Sequence, residues 1–132
     1  MSRRFNILPA IAFAATASLA PLAHADTTGG SNCFDAREWQ AWKSPSDNVI
    51  LLRVNASEVF RLDLSTGSNQ LKYSDVHLVN NNQSTSRWVC SPQDLDLRVS
   101  DSHNTFTEGL IVKSITKLTP DEVAAIPPKF RP

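Results

Sequence analysis

Residues 94–99 read Asp-Leu-Asp-Leu-Arg-Val, an apolar side chain at every second place and a charged one between. A strand turns successive side chains to opposite faces, whereas a helix would scatter these three apolar residues around its circumference. The stretch is therefore a half-buried strand, with Leu95, Leu97 and Val99 on one face and Asp94, Asp96 and Arg98 on the other. The same period recurs. Residues 58–64 put Phe60, Leu62 and Leu64 on one face and Val59, Arg61 and Asp63 on the other, and residues 75–80 resume the alternation. Residues 49–54, Val-Ile-Leu-Leu-Arg-Val, are apolar and β-branched, and the short Asn55-Ala56-Ser57 behind them predicts a hairpin to residues 58–64.

Between these runs lie polar connections at 65–70, 81–86 and 100–108, and residues 87–90 and 109–118 supply further strands. In 109–118 the apolar residues fall on both parities, which points to a bulge or an edge position. Residues 35–42 lack Gly and Pro and predict one or two helical turns, with Trp39 and Trp42 sharing a face, ended before Pro45. Thr119-Pro120-Asp121-Glu122 is a helix start, with Thr119 as cap, Pro in the first turn and Glu122 closing a capping box. Pro127 and Pro128 end that helix and leave an extended, mildly basic tail. These elements predict a mainly β fold: a small antiparallel β-sandwich or partly open barrel of about six strands, with a short N-terminal helical turn and a short C-terminal helix.

The address is read from residues 1–25. Arg3 and Arg4 precede an apolar run from Ile7 to Leu22, and Ala23-His24-Ala25 has the small residues of a cleavage site, so a secretory signal peptide is expected. Residues 26–32 then form a flexible lead, residues 33–118 the β-domain, and residues 119–132 the helix and Pro-rich tail. Of the 13 basic residues, Arg3 and Arg4 leave with the signal, so 11 stand against 13 acidic ones, a net charge of −2. That balance gives no electrostatic case for nucleic acid. After cleavage no membrane contact is expected, and the destination is periplasmic or secreted.

Cys33 and Cys90 are the two cysteines of the chain. In an exported protein their natural fate is a disulfide. Cys33 stands seven residues past Ala25, away from the place a lipid-anchored cysteine would occupy, and no Cys-x-x-Cys is present to indicate redox catalysis.

The succession of Cys33, Trp42, Asp47, "VILLRV", "VFRLDL", "QLKYSDVHLV", "RWVC", "DLDL" and "KSITKLTPDEVAAIP" resembles a family of small exported bacterial proteins grouped as a domain of unknown function. The resemblance runs from Cys33 to about Pro127. It implies an extracytoplasmic, cysteine-stapled β-domain and carries over no catalytic residue. Family members often hold a second cysteine pair, at places that correspond here to the neighbourhoods of Ser68 and Glu108, where this chain has none. The resemblance thus implies a less constrained loop at 65–70.

Candidate chemistry is sparse. His77 and His103 lack the spacing of metal ligands, so no metal or cofactor is expected. Asp94 and Asp96 form the outward pattern of a half-solvated strand, and there is neither a G-x-S-x-G nor a phosphate-binding loop. Trp88 is expected in the core, and Trp39 and Trp42 as a contact surface, because a large rigid ring binds at low entropic cost. The reading is a non-catalytic binding or structural protein of the cell envelope, with an envelope protein or glycan as partner. Two alternatives stand beside it: a small hydrolase inhibitor or enzyme with its site on the loops 65–70, 81–86 or 100–108, and an oligosaccharide-binding barrel using Trp39 and Trp42.

Overall fold

The structure is a computed structural model that describes residues 32–82, 86–103 and 105–132. The expected signal peptide and nearly all of the lead lie outside the described residues. The strands are β1 (Phe34–Asp35), β2 (Trp39–Ser46), β3 (Val49–Val54), β4 (Glu58–Thr66), β5 (Val76–Asn80), β6 (Trp88–Val89), β7 (Leu97–Asp101) and β8 (Thr107–Lys117), followed by helix α1 (Pro120–Ala125). Six of them form one antiparallel sheet in the order β2-β3-β4-β8-β7-β5, nearly closed on itself. The fold is mainly β, and of the two expected architectures it is the partly open barrel. A second small ribbon pairs β1 with β6.

The inward alternation reads as expected through β4 and β7, and β3, expected only as an apolar strand, follows the same period. Ile50, Leu52, Val54, Phe60, Leu62, Leu64, Leu97 and Val99 all belong to one buried cluster. Leu51 and Val59 are buried too, but on the outer face, where the C-terminal segment covers them. Leu118 donates its N–H to the carbonyl of Val59 at 2.8 Å, and α1 follows with Thr119 and Glu122 satisfying each other's backbone N–H groups. Burial on both faces is the physical reason for the unbroken apolar run in β3.

β8 resolves its mixed parity with a bulge in a central strand. Asp63 pairs Ser114 while Leu64 pairs Val112, which leaves Lys113 as the extra residue. Leu110 and Val112 before it and Ile115 after it therefore all face the core.

Residues 35–42 do not form the expected helical turns. A single 3-10 turn, Ala36–Glu38, is capped by Asp35, whose carboxylate accepts the Arg37 N–H at 3.0 Å, and the chain then enters β2. Trp39 pairs Val54, Ala41 pairs Arg53 and Trp42 pairs Leu52, so Gln40 is a bulge. The extra residue turns both tryptophans toward the core, where the expectation had placed them on one face of a helix. Pro45 lies inside β2 at a second irregularity between Lys43 and Ser46, in an edge strand, where a missing N–H is tolerated.

Two further expectations are corrected. Asp94 is not on a strand: it ends the 3-10 turn Pro92–Asp94, where its carboxylate accepts the N–H groups of Cys90 and Ser91, each at 2.9 Å. The tail is not extended either. It forms a 3-10 turn, Pro128–Phe130, and Arg131 donates to the carbonyls of Ala124 and Ile126, both at 2.9 Å.

The β1–β6 ribbon lies at the barrel end beside the β3–β4 hairpin, with the Phe34 ring tilted against that of Phe60 at 4.9 Å between centres and Val89 buried opposite it. Trp88, expected in the core, is 49% exposed, because the two-residue period that sends Val89 inward sends its neighbour out. Cys33 and Cys90 are joined as a disulfide across a sequence separation of 57. Replacing both cysteines by serine is expected to lower folding free energy by about 4 kcal/mol, through the released loop. Urea unfolding of the oxidised and the double-serine proteins measures it, and coincident midpoints would refute it.

Asp35, Glu58, Asp63, Asp94, Asp101 and Glu122 are all held below their ordinary carboxyl range. The leading cause in each is a hydrogen bond to the carboxylate, from a backbone N–H at Asp35, Asp94 and Glu122 and from a side chain at Glu58, Asp63 and Asp101. The unfolded chain takes up these protons at higher pH than the folded one does. The stabilisation is therefore complete above the unfolded values and is lost as pH falls through the folded ones. Stability is expected to decline from about pH 5 to about pH 2. Asp94→Asn, which cannot titrate, should flatten part of that decline in urea melts taken across the range.

Candidate functional site

The edge strands β2 and β5 do not pair, and the gap between them is occupied by the 3-10 turn Asn69–Lys72. Leu71 of that turn is buried in the core and acts as the plug. Gly67 permits this crossing: a Cβ there would overlap the backbone of Asp47 in the β2–β3 turn. Ser68 follows at 4% exposure, donates its hydroxyl to Glu108 at 2.6 Å, accepts the Gln70 N–H at 3.1 Å and sends its own N–H to the Asp47 carbonyl at 3.0 Å. The loop 65–70 is therefore anchored, in contrast to the expectation of a less constrained one. The contact joins the two neighbourhoods, around Ser68 and around Glu108, in which the family resemblance implies a second cysteine pair.

Beside the plug the seam opens into a cleft of about 320 Å³. Its rim carries Trp42 and Lys43 from β2, Lys72 and Tyr73 from the end of the plug, and Lys129 and Phe130 from the tail. Trp42 is there because of the Gln40 bulge. Tyr73 leaves the turn through its N–H bond to the Gln70 carbonyl at 3.0 Å and is 50% exposed. Phe130 is held by the folded tail, and its ring also lines the apolar cleft over Leu51 and Ile126 on the outer face.

The electrostatics of this cleft are one-sided. Three lysines line this space, and among the described residues no carboxylate does. Lys72 Nζ stands 5.3 Å from the Tyr73 ring centre and Lys129 Nζ 4.7 Å from that of Phe130, so both cations lie over aromatic rings. Several other cations of the domain are paired: Arg61 with Asp63 at 2.9 Å, Arg87 with Asp35 at 3.2 Å, Arg98 with Asp96 at 3.3 Å, and Lys117 with Glu58. The Ser44 hydroxyl at the cleft's edge is engaged with the carbonyls of Ser46 and Val49. Chemically, the arrangement offers cationic donors and ring faces. It suits binding of an anion that carries an apolar or ring-shaped part.

Of the tryptophans expected to form a contact surface, Trp42 lines this cleft, whereas Trp39 packs against the core away from it. His77 is exposed on β5 and His103 on the connection to β8. Among the described residues no three His, Cys, Asp or Glu side chains cluster as metal ligands. The connection 100–108 is organised by Asp101, whose carboxylate accepts N–H groups of Thr105 at 2.7 Å and Phe106 at 3.2 Å. Residues 83–85 of the connection 81–86 lie outside the described residues.

Sequence reasoning missed Lys43, Lys72, Tyr73, Lys129 and Phe130. A signal for them exists: Trp42-Lys43, Lys72-Tyr73 and Lys129-Phe130 are the places where lysine adjoins an aromatic residue, and the fold gathers all three. A search for similar proteins found no matching family model, curated protein or solved structure.

Side chains held for binding contribute little to folding, which gives a stability test. Lys72→Gln and Lys129→Gln are expected to change folding free energy by no more than about 0.5 kcal/mol. Trp39→Ala, which empties a half-buried site on the core, should cost about 2 kcal/mol or more. Chemical denaturation of the three variants measures both, and a large loss on either lysine change would make the cluster structural.

Proposed function

We propose that this chain is an exported, non-catalytic binding domain of the cell envelope, and that the barrel seam is its contact surface. The observation that carries the reading is the convergence of three lysines and three aromatic rings, from segments far apart in sequence, at the gap between β2 and β5. An interior held by a closed core and a staple gives such a surface the rigidity that limits the entropic cost of binding. The leader sequence and the disulfide support export, since a bridge of this kind persists in an oxidising compartment. Membership of the family of small exported domains is part of the same proposal, and the contact between Ser68 and Glu108 supports it.

The test uses oxidised, isotope-labelled mature protein titrated with the soluble glycan and peptide fractions of an envelope extract. Resonances of the Trp42 indole and of Lys72 and Tyr73 are expected to shift, and Trp42→Ala with Tyr73→Ala to abolish the response. Shifts confined to the opposite end, around Trp88 and the disulfide, would place the contact surface elsewhere and refute the proposal.

A further inference from the structure

We propose that the seam cleft takes an acidic saccharide, a sugar ring bearing a carboxylate or a short chain of such rings. This inference rests on the reading of the seam as the binding site.

Charge selects the first half of the ligand. Lys43, Lys72 and Lys129 arrive from β2, the plug and the tail, and among the described residues none is neutralised by an ion pair. Lysine is a point cation on a flexible stem, without the planar fork with which arginine grips one carboxylate from two sides. Three such groups around an open cleft suit carboxylates spaced along a ligand. Their flexibility also lets Lys72 and Lys129 swing from the rings they cover to an incoming anion, which uncovers Tyr73 and Phe130.

The rings select the second half. Trp42 and Tyr73 border the cleft, and an aromatic face complements the C–H face of a pyranose. A volume of about 320 Å³ is at the lower end of the range for small-molecule sites and matches a ligand of about one or two rings.

An acidic peptide shares the charge, but the edge disfavours it. Peptides commonly add to an open sheet edge through a ladder of main-chain hydrogen bonds. Here β2 carries Pro45 and an irregular register between Lys43 and Ser46, and the plug lies against the strand. Recognition at this edge is left to side chains, as it is for sugars.

The experiment titrates three probes into the oxidised mature protein: a galacturonic acid trimer, a neutral galactose trimer and a hexaglutamate peptide. Tryptophan fluorescence and amide resonances are followed. The uronate trimer is expected to shift Trp42, Lys72 and Tyr73 and to bind about tenfold or more tightly than the neutral trimer. Lys72→Gln combined with Lys129→Gln should remove about that factor, and so should a rise in salt from about 50 mM to about 500 mM. Equal binding of the neutral trimer would overturn the acidic requirement. Preference for hexaglutamate at the same residues would overturn the saccharide while leaving the seam as a binding site. Shifts away from the seam with the uronate would overturn this inference, and silence of the seam toward the envelope fractions as well would overturn the reading beneath it.

Discussion

A six-stranded sheet can wrap a core only if its inward side chains stay inward while its strands bend, and the strict two-residue period of a strand works against that. Bulges reconcile the two demands. The extra residue at Lys113 lets β8 keep Leu110, Val112 and Ile115 on the same side, and the one at Gln40 does so for Trp39 and Trp42. Without the first, one half of β8 would present lysine and threonine to the interior. Without the second, one of the two tryptophans would face water, and with it would go part of the wall of the seam cleft.

The incomplete closure of the barrel follows from the same sheet. With β2 and β5 left as edges, the gap between them exposes core to solvent and has to be filled by something other than a strand. Leu71 fills it from a 3-10 turn that reaches the gap because Gly67 passes against the β2–β3 turn and Ser68 is pinned by Glu108 and Asp47. A plug of one turn covers less than a strand does, and the cleft beside it is the remainder. The open edge is blunted as well as filled, since Pro45 and the irregular register of β2 deny a second chain a regular ladder.

Legibility in the sequence followed the range of the interactions. Strands β3, β4 and β7 and the capped helix α1 were readable because alternation and capping are written within a few residues. The mixed parity of residues 109–118 pointed to a bulge or an edge position; β8 is a central strand and the bulge is what it holds. Residues 35–42 misled because local composition allowed a helix, while pairing with β3, a long-range contact, decided for a strand. Trp88 was placed inside on the strength of its size and its nearness to Cys90, yet its parity relative to Val89 puts it outside. The seam was the least legible part. Its members are separated by as many as 88 positions, from Trp42 to Phe130, and nothing but the closure of the barrel sets them side by side.

Net charge conceals that seam for a physical reason. The mature chain is expected to be slightly acidic, but many of its carboxylates are drawn into short-range hydrogen bonds: Asp35, Asp94, Asp101 and Glu122 each hold backbone N–H groups at a turn or helix start. Asp63 on β4 and Asp96 just ahead of β7 are similarly engaged with arginines two residues away. Negative charge is thereby fixed where the backbone turns, on the caps and connections. Among the described residues the lysines that meet at the seam, Lys43, Lys72 and Lys129, stand in none of the ion pairs. The sum over the sequence reports neither distribution; the local field at the seam is set by the lysines that line it rather than by the net charge of the chain.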